Sequence, residues 1–222
     1  MPEIDFMSSL HKQTKRDYLA RVNDPIFPKN IAAALAKKWD KEYWDGDRRI
    51  CYGGYHYIPG RWASLAQKLI EHYQLKPGDK VLDVGCGKGF LLFELQQCDP
   101  SLIIQGIDIS SYATEQAKPE IKQNILHGNA VDLPYSDQEF DLVISITTLH
   151  NLYNYELEKA LQEIERVGKN KYICVESYRN ETEKMNLLYW QVTCESFCTP
   201  EEWKWWFKKT GFTGDYSFIF FE

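Results

Sequence analysis

The chain has 222 residues, 44% hydrophobic and 14% aromatic, with a formal net charge of -6. That is enough apolar material for one sizeable core or a domain with a cap, and it excludes disorder for the bulk of the chain. The acidity speaks against a general nucleic-acid binder, which needs a basic stripe to neutralise phosphates, and no apolar run approaches bilayer-spanning length.

The opening "MPEIDFMSSLHKQTKRDYLA" has early acids and no long apolar stretch, so no signal peptide and a cytoplasmic location are expected. Residues 8–22 and 30–42 read as two amphipathic helices separated by the breaker "NDPIFPKN". Next, "YWDGDRRICYGGYHYIPGRW", residues 43–62, holds four Tyr, two Trp, three Arg and four Gly with neither helical nor strand periodicity. Helical spacing resumes in "RWASLAQKLIEHYQL", with Leu65, Leu69 and Tyr73 on one face, and "KPGD" ends it. From residue 80, short apolar runs alternate with helices. The runs are "KVLDVG", "LIIQGIDI", "NILHG", "FDLVISI" and "KYICVES", and the helices between them include 89–97, 112–118 and 155–167. Near-continuous apolar strands alternating with helices predict a parallel sheet covered on both faces. The helix-like "ETEKMNLLYWQVTCESF" follows. Then comes "TPEEWKWWFKKTGF", with Thr199 as N-cap, Pro200 at N1 and Gly211 as the stop. Trp203, Trp205 and Trp206 are expected to form one helix face on the sheet. "DYSFIFFE" reads as a last strand. Cys51, Cys86, Cys98, Cys174, Cys194 and Cys198 are scattered without a C-x-x-C, so reduced thiols and no metal site are expected.

The strongest local signal is "VLDVGCGKGF": a strand, then Gly85-x-Gly87-x-Gly89, then a helix. Such a turn lets backbone approach a ligand where a Cβ would clash. The dinucleotide fingerprint has its third glycine one residue later. Asp83, at the end of the strand, would oppose a pyrophosphate and suits a ligand with a cationic centre instead. Asp108, in "IIQGIDIS", lies about 20 residues beyond the loop, where an acid can accept from both ribose hydroxyls. Together the two features predict a nucleoside ligand.

Residues 80–175 resemble the class I S-adenosylmethionine-dependent methyltransferases, in their small-molecule group. "VLDVGCGKG" is similar to the first motif and "GIDIS" to the ribose motif. "GNAVDLPYSDQEFDLVISITTLHNL" is similar to the stretch that runs along the adenine and up the fourth strand. The resemblance implies a Rossmann-like, doubly wound α/β fold with a mostly parallel sheet of six or seven strands. It implies an N-terminal helical cap and substrate cover over residues 1–62 and a methyltransferase domain over 63–222. It puts S-adenosylmethionine against Asp83, Gly85, Cys86 and Gly87, its ribose on Asp108, and its adenine on Ile109, Asn129 and Ala130, with Ile146 nearby. Two departures stand out. Asn129 replaces the more usual Asp, and one final strand replaces the usual hairpin.

Methyl transfer from a sulfonium needs alignment and exclusion of water, with a base only for a protonated acceptor. His150, in "TTLHNL" just past the fourth strand, is the candidate base, against the alternative of a packed wall residue. Asn151 beside it is placed to orient either partner. Glu176, Tyr178 and Arg179 follow the fifth strand at the site rim. Arg179 either grips an acidic acceptor group or pairs with Glu181 or Glu183. In the family the segment equivalent to 43–62 folds over the cofactor, which makes Tyr52, Tyr55, Tyr57, Arg48 and Arg61 candidate acceptor contacts. The expected function is methyl transfer to an O or N atom of a small, polar, anionic metabolite or sugar. A weaker resemblance links the chain to methyltransferases that accompany bacterial surface-polysaccharide genes. No nucleic-acid or membrane partner is expected, and the state is a monomer or homodimer. Alternatives are a protein or RNA methyltransferase, against which "SITT" stands where N-P-P-Y would be, and a catalytically silent cofactor-binding partner.

Overall fold

Runs such as Leu142-Val143-Ile144 send alternate side chains into two different cores, which is what a strand buried on both faces requires. The structure, a computed structural model, describes residues 1–11 and 16–222. Its strands are β1 (Lys80–Val84), β2 (Ile103–Asp108), β3 (Ile125–His127), β4 (Phe140–Ile146), β5 (Gly168–Glu176) and β6 (Asp215–Ile219). Among the described residues they form one sheet in the order β3-β2-β1-β4-β5-β6, every pair parallel. β1 pairs with β2 on one side and β4 on the other, so the winding reverses between β1 and β4. In such sheets ligands bind outside the carboxyl ends of the strands at that reversal.

The helices, in chain order, are α1 (Ser8–His11), α2 (Lys29–Ala36), α3 (Lys41–Trp44), α4 (Ala63–Tyr73), α5 (Phe90–Cys98), α6 (Ser111–Glu115), α7 (Asn154–Val167), α8 (Glu181–Trp190) and α9 (Pro200–Thr210). Leu65 and Leu69 of α4 and Leu92 and Leu95 of α5 bury one sheet face. Leu157, Leu161 and Ile164 of α7 and Trp203 and Phe207 of α9 bury the other. In α9 the Thr199–Glu202 capping box closes the start, and Gly211, at φ 74°, closes the end.

Three expectations change. The helix over 8–22 is seen only as α1. Residues 12–15 lie outside the described residues, and after them the Asp17 carboxylate accepts from the backbone of Leu19 and Ala20 in a turn that competes with a helix. The helix over 30–42 splits into α2 and α3, because Trp39 takes a left-handed φ of 55° and Asp40 starts a new helix by capping Lys41. The three tryptophans do not share a face. Trp203 is fully buried and Trp206 packs on the same cluster, whereas Trp205, two residues from Trp203, is 56% exposed.

The sheet takes the lower of the two expected strand counts, and its last strand is parallel. The outer edge of β6 is met by the N-terminal segment, with Ile4 N–H donating to the Tyr216 carbonyl at 2.8 Å. A third cluster joins Ala32, Ala36, Tyr43, Trp44 and Ile50 to Val192, so the segment after α8 helps to build the cap. Arg21 ties the same parts together by donating to the carbonyls of Trp190 and Cys51. All six cysteines are free thiols. Among the described residues, no helix is long and apolar enough to cross a membrane.

Candidate active site

The turn after β1 gives the site its floor. Gly85 and Gly87 hold φ values of 82° and 55°. A Cβ on Gly85 would lie 2.2 Å from Thr148 Oγ1, and one on Gly87 would lie 2.8 Å from the Trp44 ring. Both positions therefore exclude a side chain on conformational and steric grounds. Gly87 N–H donates to Asp108 Oδ2 at 2.7 Å and Ser110 N–H to Oδ1 at 2.8 Å, which locks the strand-end acid beside the loop. Burial pushes the Asp108 carboxyl up, opposed by these two amides. Asp83 is also buried but takes no hydrogen bond from the described residues. Burial, with the Asp108 charge added, pushes it up to about 8.

A cavity of about 770 Å³ opens above this floor. It is lined by all of Asp83, Gly85, Cys86, Gly87, Asp108, Ile109, Asn129, Ala130 and Ile146. Asn129 Oδ1 already accepts from Val131 N–H at 3.1 Å and keeps one lone pair.

Residues 43–62 form the opposite wall and are clipped to the floor. Trp44 Nε1 donates to Ser110 Oγ at 2.8 Å. Lys88, from the glycine loop itself, donates to Asp45 Oδ2 at 2.6 Å and to the Tyr55 carbonyl at 2.9 Å. Tyr52 stacks on Trp44, and Tyr55 stacks on Phe90. Arg48, Arg61, Tyr52 and Tyr55 line the cavity. The Arg48 guanidinium donates to the carbonyls of Cys51 and Tyr52, whereas that of Arg61 has no hydrogen-bond or ion-pair partner among the described residues.

Beyond the reversal point, His150 and Asn151 sit in a 3-10 turn, Leu149–Asn151, and line the same cavity. Asn151 Oδ1 accepts from Thr193 Oγ1 at 2.8 Å. His150 is only 2% exposed, and burial pushes its imidazole down to about 3. Its Nε2 lies 3.4 Å from Glu176 Oε2.

Three of the candidate residues do not line the cavity. Tyr57 donates to Glu94 Oε1 at 2.9 Å and braces the wall from behind. Tyr178 packs on the α4–α5 side of the core. Arg179 pairs with Glu183 and Glu222 and covers the Phe220 ring, so the ion-pair alternative is what its surroundings display. Conversely, Trp190, Gln191 and Thr193 line the cavity. Their sequence context, the end of a helix without an amphipathic pattern, has no signal that points there.

The profile of a family described as a methyltransferase domain matches residues 75–211. A demethylmenaquinone methyltransferase from Symbiobacterium thermophilum is 31% identical over 128 residues, 53% of this chain and 50% of that protein. A 27-O-demethylrifamycin SV methyltransferase from Amycolatopsis mediterranei is 30% identical over 117 residues, 50% of this chain and 40% of that one. The chain thus spans about half the length, or less, of these curated relatives. The YcgJ protein from Bacillus subtilis shares the fold, with a TM-score of 0.52 and 20% identity over 65% of this chain and 66% of that one. The profile match covers more than half of the chain and contains the whole glycine turn and its acid partner, so the chain belongs to the methyltransferase-domain family as a class I S-adenosylmethionine-dependent member.

Proposed function

We propose that the protein transfers the methyl group of S-adenosylmethionine to an oxygen or nitrogen of a small, polar acceptor, an anionic metabolite or a sugar. Residues 1–62 serve as its cap and cover, and residues 63–222 as the methyltransferase domain. The observation that carries the reading is the buried carboxyl of Asp83, without a hydrogen-bond partner among the described residues, beside two glycines whose Cβ positions are blocked. A buried acid without a partner is costly unless a cationic ligand balances it, and a sulfonium compound with an α-ammonium group does so. S-adenosylmethionine, when bound, supplies an electrophilic methyl group on that sulfonium.

The chain's own residues have the remaining tasks. Asp108 keeps lone pairs for a ribose diol while Gly87 and Ser110 hold it still. Ile109 offers an exposed apolar face to the adenine, and Asn129 and Ala130 meet its edge. Trp44, Tyr52 and Tyr55 keep water from the methyl group. Arg61, whose guanidinium has no partner among the described residues, is offered to an acidic group on the acceptor. The rings of this wall suit flat or cyclic acceptors. That agrees with relatives named for demethylmenaquinone and for a 27-O-demethylrifamycin.

The test is incubation with methyl-labelled S-adenosylmethionine and a fractionated metabolite extract. Label in an anionic small-molecule fraction is expected. Label only in protein or RNA would move the reading to a macromolecular acceptor. Tight cofactor binding without any transfer would make the protein a silent partner module.

A further inference from the structure

Glu176, at the carboxyl end of β5, is 7% exposed and lines the cavity. Two side chains from different elements meet its Oε2: His150 Nε2 at 3.4 Å, and Gln191 Nε2 in a short hydrogen bond. The other His150 nitrogen, Nδ1, faces the backbone N–H of Glu176 itself at 3.5 Å. An amide N–H only donates, so it selects Nδ1 as acceptor and leaves the proton of the neutral imidazole on Nε2. That nitrogen lies 3.4 Å from Glu176 Oε2, a contact distance longer than an ordinary hydrogen bond. The His150 carbonyl in turn accepts from the N–H groups of Glu195 and Ser196, which fixes the backbone that carries the ring. Neither ring nitrogen then has a lone pair to offer an acceptor. Glu176 Oε1 does, since it takes no hydrogen bond from the described residues.

We propose that Glu176 is the catalytic base of the site, taking the acceptor's proton on Oε1, and that His150 is a positioning residue that sets a neutral N–H beside the carboxylate. This rests on the methyltransferase reading. In the step, the proton of the acceptor's hydroxyl or ammonium group passes to Oε1. The acceptor atom keeps its electron pair for the new bond to the methyl carbon, and the pair of the broken sulfur–carbon bond stays on sulfur. The protonated Glu176 afterwards returns its proton to water through the cavity.

The surroundings agree with this assignment. Burial pushes Glu176 up to about 8, opposed by the Gln191 hydrogen bond and the Arg16 charge, while burial pushes His150 down. A carboxyl in that range exchanges protons near neutrality, and an imidazole held far below it does not. Arg16 of the N-terminal segment is the charged group that acts on Glu176, and the Glu176 charge in turn acts on Cys51 and Tyr52 of the cover, Cys174 of β5 and Cys194 after α8, while His150 lies 3.4 Å away.

The deciding experiment titrates the intact protein without any acceptor. Nitrogen-15 spectra should show His150 as the neutral Nε2–H tautomer, unchanged across the neutral range. Infrared spectra of carbon-13 glutamate-labelled protein, wild type minus Glu176→Gln, should show a protonated carboxyl band that disappears with a midpoint of about 8. His150→Gln keeps an N–H donor and should leave that midpoint nearly unchanged, whereas His150→Phe should raise it by replacing a polar neighbour of the carboxylate with an apolar ring. In the labelled-extract assay, Glu176→Gln should lose roughly 10²–10⁴-fold of total transfer and His150→Gln under about tenfold. A His150 that titrates near its ordinary value beside a Glu176 ionised throughout would overturn the assignment and return the base role to His150. Absence of cofactor binding by calorimetry would sink the methyltransferase reading instead, and the titration distinguishes the two failures.

Discussion

Around Gly85 and Gly87 the cavity wall is backbone, held by hydrogen bonds from two amide N–H groups to one acid across two adjacent strands. The facing wall, from residues 43–62 and the segment after α8, is side chains: stacked rings, two arginines, a lysine clip and an amide. The first wall is specified within 30 residues of sequence, whereas the second needs segments more than 100 residues apart to meet. Backbone recognition serves one invariant ligand across many proteins, while a side-chain wall can be rewritten for each acceptor. The difference also sets how each wall should respond to mutation.

The largest effect is expected at the backbone wall. Gly85→Ala places a Cβ into Thr148 at a left-handed φ, which should remove about 1–3 kcal/mol for the conformation and a similar amount for overpacking. Urea unfolding and calorimetry should show lower stability and lost cofactor affinity together. A stable, cofactor-competent variant would mean that Thr148 yields, and that the wall is softer than its geometry.

Asp83 gives a pH test of the same wall. Its folded pKa is raised to about 8, so between its unfolded value and about 8 the folded state binds more protons than the unfolded one. Stability of the ligand-free protein should therefore be greatest in mild acid and fall by up to a few kcal/mol as pH rises through about 8. Glu176, raised by burial, adds to the same slope. Asp83→Asn should flatten it, as should saturating S-adenosylmethionine. A stability profile rising with pH over that window would mean that both acids are solvated in the free protein.

Asp108→Ala should weaken S-adenosylmethionine binding by about 1.5–3 kcal/mol, because bonds to a charged acceptor are lost. Unchanged affinity by calorimetric titration would remove the acid from the ribose role.

The smallest effects separate the two arginines of the side-chain wall. Arg48→Ala frees two carbonyls of the cover and should lower stability by about 1 kcal/mol. Arg61→Ala should stay within about 0.5 kcal/mol of wild type in stability, while raising KM for an anionic acceptor found in the extract. Reversed behaviour in melting curves and kinetics would exchange their roles.

The sequence carried the backbone wall well. The five strand runs after residue 80, the caps Thr199 and Gly211, and the pairing of a glycine turn after one strand with an acid at the end of the next all follow from local rules of spacing and conformation. The rest depends on tertiary partners. The helix expected over 8–22 had the right periodicity, but Asp17 offered its backbone a turn instead. Arg179 was open between a ligand and a neighbour until Glu222, 43 residues away, came beside it. His150 was visible as an imidazole at a strand end. That both its nitrogens face Glu176 depends on the register of β5 against β4, which no local pattern reports.

The two walls are proposed to enclose one S-adenosylmethionine site, with residues 43–62 as its cover. Amide hydrogen exchange with and without S-adenosylhomocysteine tests it most directly. Exchange should slow in Gly85–Gly89, at Ser110 and across residues 43–62, with α9 unchanged. Equal exchange in residues 43–62 with and without the ligand, beside a protected glycine turn, would contradict it and leave that stretch a structural cap.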